Sequence, residues 1–146
     1  MDVPRLSGPD QLVTADNPAR TNLSGMDHDR CAALHNYLVS YAWAAEGRRL
    51  EGSDTFFTTN RAAAKAIRPR LHPSLAAFLD KACVPPMDAD SPPLFFWVSC
   101  LSLPAQLIDT GLADLFDEPE DNLICLYGPN IGPVGAPGGG LFYHQG

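Results

Sequence analysis

The hydrophobic pattern of the chain is strongest over residues 25–46, GMDHDRCAALHNYLVSYAWAAE. Apolar residues recur there at the spacing of an α-helix, which predicts a helix over this range. Ser24 and Asp27 can form a capping box before its first turn, and Gly47 supplies a stop at its C-terminal end. The stripe that we expect to face the core consists of Leu34, Leu38, Tyr41 and Ala45.

Trp43 belongs to the other side of the same helix, beside Asn36 and Ser40. Between Tyr37 and Ala45 only Ser40 is polar, so the helix is apolar almost all round. Such a helix is either the central helix of its domain or part of an interface with another molecule. We therefore predict Trp43 to be a partner-binding residue, because buried aromatic side chains dominate interface energies.

Shorter apolar patterns predict two more helices in the middle of the chain. The segment RAAAKAI follows Asn60 as its N-cap and ends before Pro69, where proline stops the helix. The segment SLAAFLDKAC has Pro73 at its first turn, a position that proline favours. Between these helices and the first, DTFFTT (54–59) fits either a short strand or a turn.

Two continuous apolar runs, LFFWVSC at 94–100 and NLICLYG at 122–128, predict buried strands. The segment between them predicts one or two short helices, broken near Gly111. This mixture predicts an α+β fold. We expect a small single domain of three to five helices and a small sheet, flanked by extended N- and C-terminal arms.

Three parts of the chain differ in composition. Residues 1–25 contain scattered proline, glycine and asparagine without a sustained period, which is typical of an extended or looping arm. Residues 26–127 hold nearly all the periodic apolar segments and predict the globular core. Residues 128–146 form a Gly/Pro-rich C-terminal arm.

The C-terminal arm reads GPNIGPVGAPGGGLFYHQG. A phosphate-binding loop would need a lysine and a helix after the glycines, but no lysine follows Lys81, and we expect no helix over LFYHQG, which follows Gly140. Its regularly spaced prolines favour extended backbone instead. The apolar end, Leu141, Phe142 and Tyr143, predicts an anchor that binds a partner, and docking of this end on its own core is the alternative.

Composition places the chain among globular proteins, with 45% apolar and 18% charged residues. The formal net charge of −7 disfavours direct binding to nucleic acid or to anionic membranes. We find no secretion signal at the N-terminus, which predicts a cytoplasmic or intracellular protein, or one inside a virion or other particle. Four widely spaced cysteines without a CxxC pair predict reduced thiols.

An acidic cluster precedes the second predicted strand. A charge run of this kind is usually solvated, but it can also dock a basic partner. The partner-binding candidates in this cluster are Asp117, Glu118, Glu120 and Asp121.

His28, Cys31 and His35 lie at i, i+3 and i+7 on the first helix, a spacing that puts potential metal ligands on one face. The same line borders apolar positions, where a half-buried histidine needs no metal. We therefore treat these residues as a weak metal candidate and predict no cofactor. No catalytic residues are assigned, because the chain contains neither a G-x-S-x-G elbow nor a deaminase signature.

These observations favour a non-enzymatic protein that works by protein–protein contact. The leading hypothesis is an assembly component, such as a structural subunit of a viral or phage particle or of a larger complex, that docks through its terminal arms as a homo-oligomer or with other proteins. One alternative is an acidic cytoplasmic inhibitor or immunity-type protein that binds a basic partner. Another is a small enzyme with an unrecognised site.

Overall fold

The computed structural model describes residues 11–50, 54–86, 92, 101–108, 114, 116–117, 119, 121–128 and 141–145. Over these residues the chain forms five α-helices, one 3₁₀ turn and a two-stranded antiparallel sheet. This is the α+β fold that the sequence predicts. The described residues form two compact units. The first unit contains the described residues within 1–59 and 72–92, and the second contains those within 60–71 and 93–146. The division into two arms and a core stays a prediction.

The helices and strands follow one another as α1 (His28–Ala45), α2 (Phe56–Thr59), α3 (Arg61–Ile67), the 3₁₀ turn Arg68–Arg70, α4 (Pro73–Lys81), α5 (Pro104–Leu107), β1 (Leu123–Tyr127) and β2 (Leu141–His144). The first unit contains α1, α2 and α4, and the second contains α3, α5 and both strands. Within the described ranges, no helix combines the length and the apolar character needed to cross a bilayer.

In the first unit, α1 and α4 pack side by side, and the hydrogen bonds at the two ends of α4 show that they run in the same direction. Near the start of α4, Ser74 Oγ accepts a hydrogen bond of 2.9 Å from the backbone N–H of Met26, which lies just before α1. Near the end of α4, the Asn36 side chain donates to Lys81 O at 3.0 Å and accepts the Cys83 N–H at 2.7 Å. These contacts at both ends of α4 fix the register of the two helices.

Helix α1 buries a different side from the one that the apolar stripe predicted. Leu34 and Leu38 are half-buried, while Tyr41 and Ala45 are exposed. The predicted face was wrong because both sides of the helix are apolar, and periodicity alone does not distinguish them. The buried uncharged residues of α1 are Ala32, His35, Val39, Ala42 and Trp43.

The structure contradicts the prediction for the start of α1 and confirms the prediction for its end. The helix begins at His28, and Asp27 occupies the N-cap position without a side-chain capping bond, so the capping box with Ser24 was wrong. The capping box does not form because Gly25, with a φ of 85°, makes a turn that separates Ser24 from the helix. The C-terminal stop is confirmed, since Gly47 has a φ of 67°, a left-handed conformation that suits glycine.

The next three helices are short. The DTFFTT segment forms the single turn α2 rather than a strand, and the Thr55 N–H donates to Thr58 Oγ1 at 2.7 Å at its start. Thr55 also pairs with Cys83 in an isolated antiparallel bridge. Helices α3 and α4 confirm their predictions, with Asn60 at the N-cap of α3 and Pro73 as the first residue of α4.

In the second unit, the C-terminal segment is the partner strand of β1. Ile124 lies opposite Tyr143 and Cys125 lies opposite Phe142 in an antiparallel register. An irregularity follows Cys125, where the pairing shifts. The apolar end of the C-terminal arm is therefore docked on its own chain over β2.

The strand predicted over 122–128 is confirmed as β1, which is buried from its second residue onward. The Ser102 N–H donates to Leu126 O at 2.9 Å and joins the segment before α5 to this strand. Helix α5 supplies one of the short helices expected in this region. The strand predicted over 94–100 and the break near Gly111 lie outside the described residues.

His35 lies on the buried side of α1 and is 2% exposed. Its Nε2 lies 2.8 Å from Cys83 O, and its ring meets the Phe78 ring edge-on with centroids 6.0 Å apart. Burial lowers the pKa of His35 because desolvation penalises the imidazolium, and the hydrogen bond to Cys83 offsets this only in part. The folded chain therefore favours the neutral ring.

We expect this burial to make stability depend on pH. The unfolded chain has a His35 pKa near 6.5, and the folded chain has a lower one, so the unfolded state binds more protons as the pH falls. The free energy of unfolding should therefore decrease from about pH 7.5 to about pH 5. Urea titrations should show that His35→Gln weakens this dependence. The exposed control His144→Gln should retain it, and equal slopes for His35→Gln and the wild type would contradict the assignment.

Candidate protein-binding surface

The side of α1 that stays accessible is apolar and uncharged. We call this side, formed by Leu34, Tyr37, Leu38, Tyr41 and Ala45, the outer face of α1. The Tyr37 and Tyr41 rings stack with centroids 6.3 Å apart, and Tyr41 is 45% exposed. From Cys31 to Ala45 the helix contains no Asp, Glu, Lys or Arg. A long helix with such a face is typical of one that is covered by a second protein.

Arg30 lies on the same side of α1, four residues before Leu34, yet it is only 8% exposed. Its guanidinium donates four hydrogen bonds to backbone carbonyl oxygens of the segment before the helix. The acceptors are Gln11 O and Leu12 O at 2.6 Å, Asn17 O at 2.8 Å and Pro18 O at 2.9 Å.

The segment that Arg30 holds, residues 11–18, is here called the clamped loop. Thr14 and Asn17 exchange backbone hydrogen bonds of 3.0 and 3.2 Å, so the loop also has internal order. Its apolar side chains nevertheless point to solvent, with Leu12 50% and Val13 60% exposed. A buried cation thus keeps an exposed apolar pair in a fixed conformation.

A second attachment holds the other end of the N-terminal segment against the start of α4. Ser74 Oγ accepts the Met26 N–H and lies 2.8 Å from His72 Nδ1, which also accepts the Ser74 N–H at 3.2 Å. Gly25 fits tightly here, because an added Cβ would clash with Ser74 Oγ and with the His72 ring. Beside this attachment is an open cavity of about 360 Å³, lined by Leu23, Ser24, Met26, His28, His72, Pro73 and Ser74.

Trp43, the predicted anchor on α1, is 2% exposed, and the Arg48 guanidinium lies 5.5 Å from its ring centre. Its indole therefore offers almost no surface to a partner. The exposed aromatic residue of this helix is Tyr41, on the stripe that the sequence assigned to the core. The sequence pattern thus found a two-sided helix but exchanged its two sides.

The predicted C-terminal anchor is distributed over β2. Leu141 is 52% exposed, and Phe142 and Tyr143 are half-buried. Just after the strand, the Gln145 side chain donates to Asp121 O at 2.6 Å and to Arg70 O at 2.8 Å. This end of the chain is thus bound in cis, and of the three predicted anchor residues only Leu141 is exposed.

The acidic cluster is partly neutralised within the second unit. Asp121 forms an ion pair with Arg70, and a hydrogen bond from that guanidinium lowers the pKa of the Asp121 carboxyl. Asp117 is exposed, with a φ of 53°. Glu118 and Glu120 lie outside the described residues.

The metal candidate His28, Cys31 and His35 does not form a site. No group of three such ligands in the described part of the chain is arranged to hold a metal ion. His35 bonds to Cys83 O, whereas His28 lines the cavity and lies 3.4 Å from Asp29 Oδ1. Common spacing on the helix was misleading here because these side chains have different partners.

Comparison with protein-family models, with curated proteins and with solved structures finds no match to this chain. Its function must therefore be inferred from its own surfaces. The outer face of α1 and the clamped loop together combine phenol, aliphatic and methyl groups, which gain free energy when water is removed from them. Sequence reasoning missed the clamped loop because backbone carbonyl acceptors have no residue signature.

We expect Gly25→Ala to cost more stability than Gly47→Ala. Both positions have positive φ, which costs a residue with a Cβ about 1–2 kcal/mol. At Gly47 an added Cβ meets nothing within 4 Å, whereas at Gly25 it meets Ser74 and His72. The overpacking should add about 1–3 kcal/mol for Gly25→Ala. Urea denaturation of both variants measures the difference. Equal losses of stability would show that the Ser74 and His72 side chains move aside without cost.

We expect Arg30→Lys to release the clamped loop without unfolding α1. A lysine ammonium has three donors at one point and does not reproduce the four bonds of the planar guanidinium. Amide hydrogen exchange at Thr14 and Asn17 should accelerate by about tenfold or more, the equivalent of losing one charge-assisted bond. Unchanged protection at these two amides would show that the loop is held by other contacts.

Proposed function

We propose that this protein is a non-enzymatic assembly component that binds a second copy of itself through the outer face of α1. The observation that supports this most is the position of Tyr41. It is 45% exposed on an uncharged face of an 18-residue helix whose opposite side is buried. An apolar helix face of this length favours a protein partner.

A second copy is the partner that the charge distribution favours. The chain has a formal net charge of −7, so two copies repel each other wherever charged surfaces meet. The stretch from Cys31 to Ala45 carries no Asp, Glu, Lys or Arg, and contact there avoids this repulsion. A two-fold axis brings the same patch of each copy together, which an uncharged apolar patch accommodates without a complementary charge pattern.

The alternative functions have less support from the described residues. For an inhibitor that caps a basic partner, the acidic cluster offers the exposed Asp117, whereas Asp121 already pairs with Arg70. An enzyme built on the first helix could not use His35, because this ring is buried against Cys83 and Phe78. Assembly into a particle or a larger complex extends the same proposal, since such assemblies repeat contacts between identical chains.

We expect the full-length protein to sediment as a dimer at micromolar concentration and Tyr41→Glu to dissociate it. Each copy would bring a buried charge to the interface, and loss of a central aromatic contact typically costs about 2–4 kcal/mol. The dissociation constant should therefore rise by about 30- to 1000-fold. Sedimentation velocity over a concentration series measures this change.

Leu103→Glu is the matched control, because Leu103 is 54% exposed but lies in the second unit, before α5. This variant should dimerise like the wild type. A wild-type protein that stays monomeric up to about 100 μM, well above typical working affinities, would refute self-assembly. Equal weakening by Tyr41→Glu and Leu103→Glu would refute the assignment to the outer face.

A further inference from the structure

We infer that the clamped loop is the second half of the same interface, and that Leu12 and Val13 of one copy pack against Tyr41 and Ala45 of the other. This inference rests on the proposed function. It adds which residues meet across the two-fold axis, and it assigns Arg30 as the residue that positions the loop.

The geometry of α1 separates the loop from the exposed end of the outer face. The clamped loop lies beside the start of the helix, because Arg30 bonds to Leu12 O there. Tyr41 and Ala45 follow 11 and 15 residues after Arg30 on the same side of the helix. At 1.5 Å per residue, they lie about 16 and about 22 Å further along the axis. The loop therefore does not reach these residues of its own helix.

A two-fold axis perpendicular to α1 closes this gap between two copies. It makes the paired helices antiparallel, with the axis near Tyr37 and Leu38, halfway between Arg30 and Ala45. The clamped loop of each copy then lies opposite the C-terminal half of the other outer face. The parallel arrangement would bring the two loops together, each with an exposed Asp16, and like charges disfavour it.

The size of the outer face supports a contribution from the loop. A helix of 18 residues is about 27 Å long and about 10 Å wide, so one face has a footprint of only about 270 Å². Stable interfaces bury about 800 Å² on each partner. Leu12 and Val13 are 50% and 60% exposed, and Arg30 bonds to Leu12 O near the start of α1, so these two residues can add apolar surface there.

Arg30 makes this extension effective because it orders the loop before binding. An unattached segment would lose conformational freedom on association, which weakens the complex. Here four hydrogen bonds from one buried side chain hold the loop in place in the single chain. Arg30 itself does not contact the second copy in this arrangement and acts only through the loop.

Cysteine cross-linking tests which residues meet. Val13→Cys and Ala45→Cys variants, one of them carrying a size tag, are mixed as full-length chains and oxidised mildly. A disulfide needs Cα atoms within about 7 Å, so only contact between copies can join positions 13 and 45. We expect a mixed covalent dimer on non-reducing gels. Val13→Cys alone controls for native cysteines. Val13→Cys mixed with Ala63→Cys, at an exposed position of α3, should not link.

A double-mutant comparison tests the role of Arg30. In the wild-type background, Leu12→Ser with Val13→Ser should weaken dimerisation by about tenfold or more, as loss of a central apolar contact does. In the Arg30→Lys background the same change should cost less than about threefold, because the loop is already displaced. Equal costs in both backgrounds would overturn the positioning role.

The outcomes separate this inference from the proposed function. No dimer of the wild-type chain refutes both. A dimer that Tyr41→Glu dissociates, but that gives no 13–45 disulfide and tolerates Leu12→Ser with Val13→Ser, refutes only the arrangement inferred here. A 13–45 disulfide together with sensitivity to both changes establishes the antiparallel interface.

Discussion

The N-terminal half of this protein depends on one buried positive charge. Removing a guanidinium from water is costly, and it persists in a folded protein only where its donors are satisfied. Arg30 meets this condition with four backbone carbonyl oxygens of the clamped loop. Charge-assisted bonds contribute about 1.5–3 kcal/mol each, enough together to order a loop that has little apolar contact of its own. A segment without regular secondary structure thereby becomes a fixed part of the surface.

Arg30 lies at the start of the outer face of α1, and at the far end of this face Tyr41 and Ala45 remain exposed. One side of the helix is fixed on α4 through residues such as His35, and the other presents Tyr37 and Tyr41. This two-sidedness explains why the helix has no charged residue over its last four turns. In our proposal the second side is covered only when two copies meet, so one helix serves both folding and assembly.

The sequence predicted those elements whose ends are marked by backbone chemistry. Pro73 and Gly47 act through their own φ angles, so the start of α4 and the end of α1 could be read directly. The exposed side of α1 could not, because Trp43 and Tyr41 are both apolar and only packing on α4 decides between them. The acceptors of Arg30 could not be predicted either, because every residue has the same backbone carbonyl group and the sequence does not mark which ones accept.

Because all backbone carbonyl groups are alike, the contacts that hold the clamped loop do not involve the side chains that could contact a partner. Arg30 donates to main-chain oxygens, so the side chains of the clamped loop can change without loss of these hydrogen bonds, provided that the turn between Thr14 and Asn17 is kept. Related chains could therefore exchange Leu12 and Val13 for other residues and acquire new binding preferences at little cost in stability. The same property makes this loop a suitable position for engineered variation.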